Sequence, residues 1–422
     1  MKISILLPYK ENFSPIYAGA VSLFVKDTIQ NSKYFKSTYV FGSTDFKKPF
    51  LKNYVNINLN KSLLQSNSKN YIKNFLKEEK KINSDILEIH NRPNYIKYLT
   101  NLRNKKIILY FHNDPLSMNG SKTINERLKL LDEIDKIIFV SKWVQDRFFI
   151  GLDKKLINKT EIVYPSINKP NKINIKKKRI VFIGKLNVSK GYDIYKSAIL
   201  RILNEFKDWK GYSIGDEERE RPFINHENHK ELGFLKHKKV LEFLDKSEIA
   251  VVPSRWEEPF GRVSLEATAA GCVTITSKKG GLLETSNHTI AIDNIDSQKL
   301  YRKIKELIKN NIRRKKIQNL SRKNIIHLIE KNTKKIDKMR MSIFPQFQLN
   351  FIKNKLKIIN LFNQGQKSNY RLFNISLGKK FTNGFIRNNH DVLEISDRDF
   401  IKNNRNLFNF DNNINVFQKH LI

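Results

Sequence analysis

The chain has 422 residues, 40% hydrophobic and 11% aromatic, with 79 Lys and Arg against 41 Asp and Glu for a formal charge of +38. That length and apolar content suit two globular domains with some excess and exclude a disordered chain. A single cysteine, Cys272, excludes an intramolecular disulfide and a cysteine-rich metal site, and after Gly271 it reads as a small core residue.

No apolar run approaches the ~20 residues that span a bilayer. The N-terminus reads as a core strand interrupted by Pro8, with no small-residue cleavage site, so no signal peptide is expected. Lys2 to Leu7 predicts the first strand, followed by a loop through Tyr17, Ala18, Gly19 and Ala20 into a helix. Ile107 to Phe111 predicts a strand that ends in His112, Asn113, Asp114 and Pro115, and Lys136 to Ser141 predicts another. Both polar clusters fall just past a strand end, where open α/β sheets place their ligands. For His112 the plain alternative is a satisfied structural histidine.

Alternation of apolar strands and amphipathic helices up to about residue 165 implies a doubly wound parallel sheet. Ser166 to Arg179 is polar and lysine-rich around Pro170, and reads as a linker and hinge. A second alternating unit runs from Ile180 to about residue 344. It opens on the strand Ile180 to Gly184 and a loop that carries Lys185, Lys190 and Gly191.

Within that unit Ile249 to Pro253 predicts a buried strand and Val263 to Ala270 a helix, so Glu258, Pro259, Phe260 and Gly261 lie on the loop between them. A helix that starts near Phe260 and Gly261 leaves backbone N–H groups unpaired and carries roughly half a positive charge, which favours an anion such as phosphate. Glu258 on the loop and Glu266 in the first helical turns can border one pocket, where acceptor-only carboxylates bind sugar or ribose hydroxyls. Gly261 removes the side chain where a ligand approaches the backbone closely. The bland alternative is an exposed turn acid and a helix-surface charge. Ala269 to Thr276 supplies the next strand, followed by Gly280, Gly281, Leu282, Leu283 and Glu284.

Residues 301–340 hold 15 Lys or Arg against 3 acids. Such a surface attracts anionic lipid, acidic saccharide or nucleic acid alike, or is an idle solvated face. No stacking platform accompanies the charge, so nucleic acid is not an expected partner. Beyond residue 345, Lys357 to Phe362 predicts a strand, Tyr370 to Asn388 a helix and Asp391 to Ser396 a second strand.

Two carboxylates separated by seven residues, Glu258 and Glu266, with Pro-Phe-Gly after the first and Ala267 after the second, resemble the signature of the family 4 retaining glycosyltransferases. The strand and basic loop at Ile180 to Gly191, the Gly280 to Glu284 turn and the opening strand and Gly19 loop are similar to the same family. The resemblance implies the GT-B fold, an α/β architecture of two doubly wound Rossmann-like domains facing a cleft. Residues 1–165 would be the acceptor-side domain and residues 166–344 the nucleotide-sugar donor domain, with the segment Asn332 to Phe344 crossing back to the first. Residues 345–422 resemble the opening β-α-β unit of a second such module, with His390 and Asp391 at its turn. They read as an incomplete second enzyme or as a unit docked on the main body.

The same resemblance implies site roles. Lys185 and Lys190, with the amides of Phe260, Gly261 and Arg262, would hold the donor diphosphate. Lys185 stands where the family commonly has Arg, and keeps the charge without the bidentate fork. Gly19 would allow close approach of donor phosphates, Glu266 would bind the ribose diol and Glu258 the donor sugar, and His112 would reach that sugar from the opposite domain. Gly215, Asp216, Gly233, Phe234 and Leu235 would border the base. The implied activity is sugar transfer from a nucleotide sugar to a saccharide or lipid-linked acceptor with retention, in cell-surface polysaccharide or lipopolysaccharide synthesis. No metal or cofactor is expected, and the expected location is cytoplasmic or peripheral at the inner face of an anionic membrane. Alternatives are a non-catalytic nucleotide-sugar or saccharide-binding protein, or a basic nucleic-acid-binding protein. No lysine site for a pyridoxal cofactor is recognisable, which disfavours a phosphorylase.

Overall fold

The computed structural model describes residues 1–44, 48–58, 66–99, 102, 105–170, 174–217, 223–343, 355–363 and 370–399. The chain divides into two compact units, Met1–Phe344 and Pro345–Ile422.

In the larger unit the first sheet is built from β1 (Ile3–Leu6), β2 (Thr38–Gly42), β3 (Tyr54–Asn56), β4 (Ile86–His90), β5 (Lys106–Phe111), β6 (Lys136–Phe139) and β7 (Thr160–Ile162). Their order is β3-β2-β1-β4-β5-β6-β7 and every pair is parallel. Interleaved are α1 (Ala20–Gln30), α2 (Asn67–Ile82), α3 (Ile124–Glu133) and α4 (Lys142–Phe148). Alternate strand residues feed two cores. Leu6, Phe41, Leu109 and Phe139 pack with Tyr71 and Phe75 of α2, whereas Ile5, Val40, Ile108 and Ile138 pack with Phe24 and Ile29 of α1. A sheet buried on both faces needs nearly continuous apolar strands, as in Ile107–Phe111 of β5 and Ile137–Phe139 of β6, and in β1 the buried Ser4 is the one polar residue.

The second sheet uses β8 (Lys177–Ile183), β9 (Lys210–Ile214), β10 (His229–Glu231), β11 (Ser247–Val252), β12 (Val273–Ser277) and β13 (Ile290–Ile292). Their order is β10-β9-β8-β11-β12-β13, again all parallel. Its helices are α5 (Tyr192–Glu205), α6 (His237–Asp245), α7 (Arg262–Ala269), α8 (Ser297–Lys309), α9 (Asn311–Lys323) and α10 (Ile329–Ile343). Both sheets follow the doubly wound 3-2-1-4-5-6 order, so each has a switch point beside its first strand. Strand β8 starts at Lys177, ahead of the expected Ile180, because Lys177 N donates to Lys246 O at 2.8 Å. Backbone pairing overrides the lysine-rich composition that reads as linker.

Helix α10 packs on the first sheet, with Ile336 and Met339 in the core that α1 forms. Arg340 Nε and Nη2 donate to Glu88 Oε1 and Oε2 at 2.7 and 2.8 Å, and both side chains are 1% exposed. Asp337 accepts from Ser32 Oγ at 2.7 Å and from Lys33 N at 3.0 Å. The chain therefore passes between the sheets twice, and the passages pair. Ile167 N donates to His327 O at 3.1 Å, and Ile329 N donates to Ile167 O at 3.0 Å.

In the smaller unit β14 (Lys357–Phe362) and β15 (Asp391–Ser396) pair in parallel, and between them run α11 (Tyr370–Ile375) and α12 (Leu377–Arg387). The helix expected over residues 370–388 breaks at Ser376, whose Oγ caps α12 by accepting from Lys379 N. The β14-helix-β15 connection has the same parallel plan as β1-α1-β2. Asp391 pairs with Lys355 at 2.6 Å, and His390 Nδ1 accepts from Leu356 N at 3.4 Å. Among the described residues no helix is long and apolar enough to cross a membrane.

Candidate functional site

The loop from Pro253 to Gly261 leaves β11 and enters α7. Gly261 caps α7 at φ 109°, a left-handed conformation that glycine adopts readily, and a Cβ there would collide with Leu282. The amides of Phe260, Gly261 and Arg262 find no protein acceptor among the described residues, so the row at the start of α7 is open. The Phe260 ring points elsewhere. It is buried in the first sheet's core, with the Tyr164 and His327 rings at 5.8 and 5.4 Å, while Ser141 Oγ donates to Pro259 O at 2.5 Å. The phenyl group anchors the loop, and only its amide is available to a ligand.

Lys190 Nζ donates to Glu258 Oε1 at 2.6 Å and lies 5.1 Å from the Trp256 ring centroid. Backbone contacts fix this pair. A Cβ at Gly191 (φ 72°) would strike Pro253 O, one at Gly280 (φ 58°) would strike the Glu258 backbone, and Gly281 N donates to Glu258 O at 2.7 Å. The Lys185 side chain is exposed and makes no hydrogen bond or ion pair among the described residues.

Glu266 belongs to a second cluster. Its Oε1 accepts from His237 Nε2 at 2.8 Å and from Arg262 Nε at 2.6 Å, and Arg262 Nη2 donates across the domains to Asp27 Oδ2 at 2.7 Å. Burial pushes the Glu266 carboxyl up, but Arg262 and His237 outweigh it and hold the group below its usual range. Its other oxygen has no protein partner among the described residues. Asp27, His237, Arg262 and Glu266 face an interdomain cavity of about 1000 Å³ whose walls do not include Glu258 or Lys190. The two carboxylates are therefore neighbours of one loop without sharing that cavity.

On the first domain, His112 follows β5. Its N–H and that of Asn113 both donate to Asn91 Oδ1 at 3.1 Å, and its Nε2 lies 2.9 Å from His90 Nδ1. Burial pushes His112 down to about 3, and burial, His112 and the Arg340 charge push His90 well down. Both rings are thus neutral in the fold. Below about pH 6.5 the unfolded chain binds protons that the fold refuses, so stability should fall as pH drops from there toward 3. Urea midpoints at about pH 7.5 and about pH 5 check this, with His112→Phe expected to flatten the difference.

Asp114 is already engaged: it accepts from Arg147 Nε and Nη2 at 3.1 and 2.8 Å and from Leu116 N at 3.0 Å. Gly19 caps α1, but the Glu11 carboxylate occupies the space beside it, and Glu11 Oε1 accepts from Ser22 N at 2.9 Å. Tyr17 of this loop stacks on Phe234 of the second domain with centroids 4.2 Å apart. Gly215 N donates to Gly233 O at 2.9 Å, which joins the two segments expected at the base.

Glu284 accepts from Lys142 N at 2.7 Å and Trp143 N at 2.8 Å, so its carboxylate sits on the N-terminus of α4 in the other domain. Glu284→Ala should cost about 1 kcal/mol of unfolding free energy, and Glu284→Gln less, measured by urea denaturation. Glu11, Asp27, His90, His237 and the α4 contact of Glu284 escape a reading of the sequence because their partners are distant in the chain. Only His90 carried a signal, since His90-Asn91 ends β4 as His112-Asn113 follows β5.

Residues 164–324 match the family model of glycosyl transferases group 1. A protein of the Klebsiella pneumoniae cps region is 30% identical over 165 residues, 36% of this chain and 41% of its own. The putative glycosyltransferase YtcC of Bacillus subtilis is 25% identical over 246 residues, 50% of this chain and 60% of its own. The chain thus spans less than two thirds of either relative. Among solved structures, HepE of Anabaena in complex with UDP and glucose superposes with a TM-score of 0.64 at 15% identity, covering 81% of this chain and 100% of that one. Family match and sheet topology agree: residues 164–324 match the glycosyl transferases group 1 model, in a chain built on the GT-B fold.

Proposed function

We propose that the protein is a glycosyltransferase that moves a sugar from a nucleoside-diphosphate sugar to a saccharide or lipid-linked acceptor, with retention of anomeric configuration. The observation that carries this reading is the open amide row at Phe260, Gly261 and Arg262 on the loop that holds the Lys190–Glu258 pair. Departure of the nucleoside diphosphate builds negative charge on phosphate and positive charge on the sugar. Fixed N–H donors, Lys190 and the unpaired Lys185 meet the first, and Glu258 meets the second. This arrangement assigns no step to a metal or cofactor.

Glu266 would take the ribose hydroxyls on the carboxylate oxygen that Arg262 and His237 leave unpaired. Because Glu11 already accepts an α1 amide, the diphosphate is assigned to the second domain, and Gly19 keeps a steric role. His112 approaches the sugar from the first domain, and the leaving phosphate helps deprotonate the acceptor. HepE is described with UDP, and one relative belongs to a cps region, which supports a uridine donor class and a role in surface polysaccharide synthesis. The location consistent with this is the cytoplasmic membrane face, with the basic residues of α8 to α10 toward anionic lipid.

A panel of nucleoside-diphosphate sugars, assayed for transfer and hydrolysis, tests the reading. Turnover with one donor is expected, whereas a pure binder would show affinity alone. Glu266→Ala should raise the donor KM about 10-fold or more, as for a lost hydrogen bond to a charged group. Unchanged KM would remove Glu266 from the donor site.

A further inference from the structure

We propose that His90 is a positioning residue that sets the tautomer of His112: His90 Nδ1–H donates to His112 Nε2, so the His112 proton resides on Nδ1 and is offered to a hydroxyl oxygen of the donor sugar. The proposal rests on the active-site reading above for the identity of that sugar, but the tautomer itself follows from the local geometry.

The rings meet at 2.9 Å through His90 Nδ1 and His112 Nε2, and a neutral imidazole carries one N–H, so one of these atoms donates and the other accepts. His90 Nε2 decides which. It is sealed from solvent and has no hydrogen-bond partner among the described residues. A proton there would create an orphaned buried N–H, a rarer and more costly defect than an unused acceptor. The His90 proton therefore belongs on Nδ1. His112 Nε2 must accept it, and the one proton of neutral His112 is left on Nδ1.

Packing holds both rings in register for this. Tyr110 stacks on His90 at 4.3 Å and 8°, Phe24 sits edge-on to His112 at 5.0 Å, and Asn91 Oδ1 holds the His112 backbone. Burial keeps both imidazoles neutral, so a second proton does not blur the assignment. His112 Nδ1 has no protein partner among the described residues and is not sealed as His90 Nε2 is. Its N–H can take an oxygen lone pair, and it rejects a donor sugar that brings an N–H or ammonium to the same place.

Selective ¹⁵N-histidine NMR on the whole chain, with His90→Phe and His112→Phe used for assignment, reads the tautomer directly. The expected result is a protonated Nδ1 and a pyridine-type Nε2 for His112 in the wild type, and a mixture in His90→Phe. Transfer assays supply the second arm. His90→Phe should lower kcat/KM for the donor about 10-fold, and His90→Asn, whose amide N–H replaces Nδ1–H, should recover most of it, whereas His90→Gln should not. A protonated Nε2 on wild-type His112, or a His90→Phe variant as active as wild type when His112→Phe is impaired, overturns the proposal. Full transfer by His112→Phe would instead overturn the contact of His112 with the sugar, while the NMR result would still decide the tautomer.

Discussion

Lys190→Ala is expected to lower the rate of sugar transfer at saturating donor by about 10²-fold or more, the scale of losing one preorganised group that meets developing charge. Lys190 is held 2.6 Å from Glu258 on a loop that cannot relax, because Gly191 and Gly280 place it in direct backbone contact with its neighbours. In the proposed mechanism, removing the ammonium leaves the amides of Phe260 to Arg262 as the fixed donors to the leaving group, and it leaves Glu258 without its cation. The loss should fall mainly on kcat, since the charge that Lys190 meets grows on the way to the transition state. Lys190→Arg should retain a fraction of activity. Lys185→Ala should act mainly on donor KM, because that side chain is exposed and unpaired before the donor arrives. Steady-state kinetics on the three variants checks the contrast, and wild-type kcat in Lys190→Ala would remove the proposed charge stabilisation.

Arg340→Leu is expected to destabilise the larger unit by about 3–5 kcal/mol, the usual cost of stranding one member of a buried ion pair. Burial lowers the tendency of Arg340 to stay charged, but Glu88 more than restores it, so the guanidinium is firmly cationic. Without it Glu88, 1% exposed in the middle of β4, keeps a carboxylate in apolar surroundings, and Asp337 loses its bond from Arg340 Nη1 at 3.1 Å. Helix α10 would then hold the first sheet through Ile336 and Met339, the bonds that Asp337 accepts from Ser32 and Lys33, and the bond of Asn332 to Tyr164 O. A loss of that size approaches the whole stability of many domains. Urea denaturation should show a lower midpoint, and Glu88→Leu with Arg340→Leu should recover part of the loss, because an apolar pair strands no charge.

Strands β14 and β15 fall at Lys357–Phe362 and Asp391–Ser396 as expected, although Asn360 and Glu394 interrupt their apolar residues, and α7 begins one residue past Gly261. Boundaries failed where backbone pairing or capping decides. Lys177 joins β8 by bonding to Lys246, and Ser376 splits a continuous helical pattern in two. The candidate site was legible to the extent that spacing puts Glu258 and Gly261 on one loop and Glu266 on the helix it opens, but Glu258 and Glu266 turn to different partners and do not share the cavity. What the chain order conceals is competition among groups far apart in sequence. Arg262 is drawn to Asp27, 235 residues away, Glu11 takes an α1 amide, and the Phe260 ring goes into the first sheet's core.

The paired passages at Ile167 and Leu328 restrict how the lobes can move. Two covalent tethers lying side by side resist shear and twist, and leave rotation about the line through them as the soft coordinate. Opening would then resemble a book turning on its spine. Groups nearest that spine, such as Asn332 with its bond to Tyr164 O, would shift little, and contacts between the lobes farther from it would separate most.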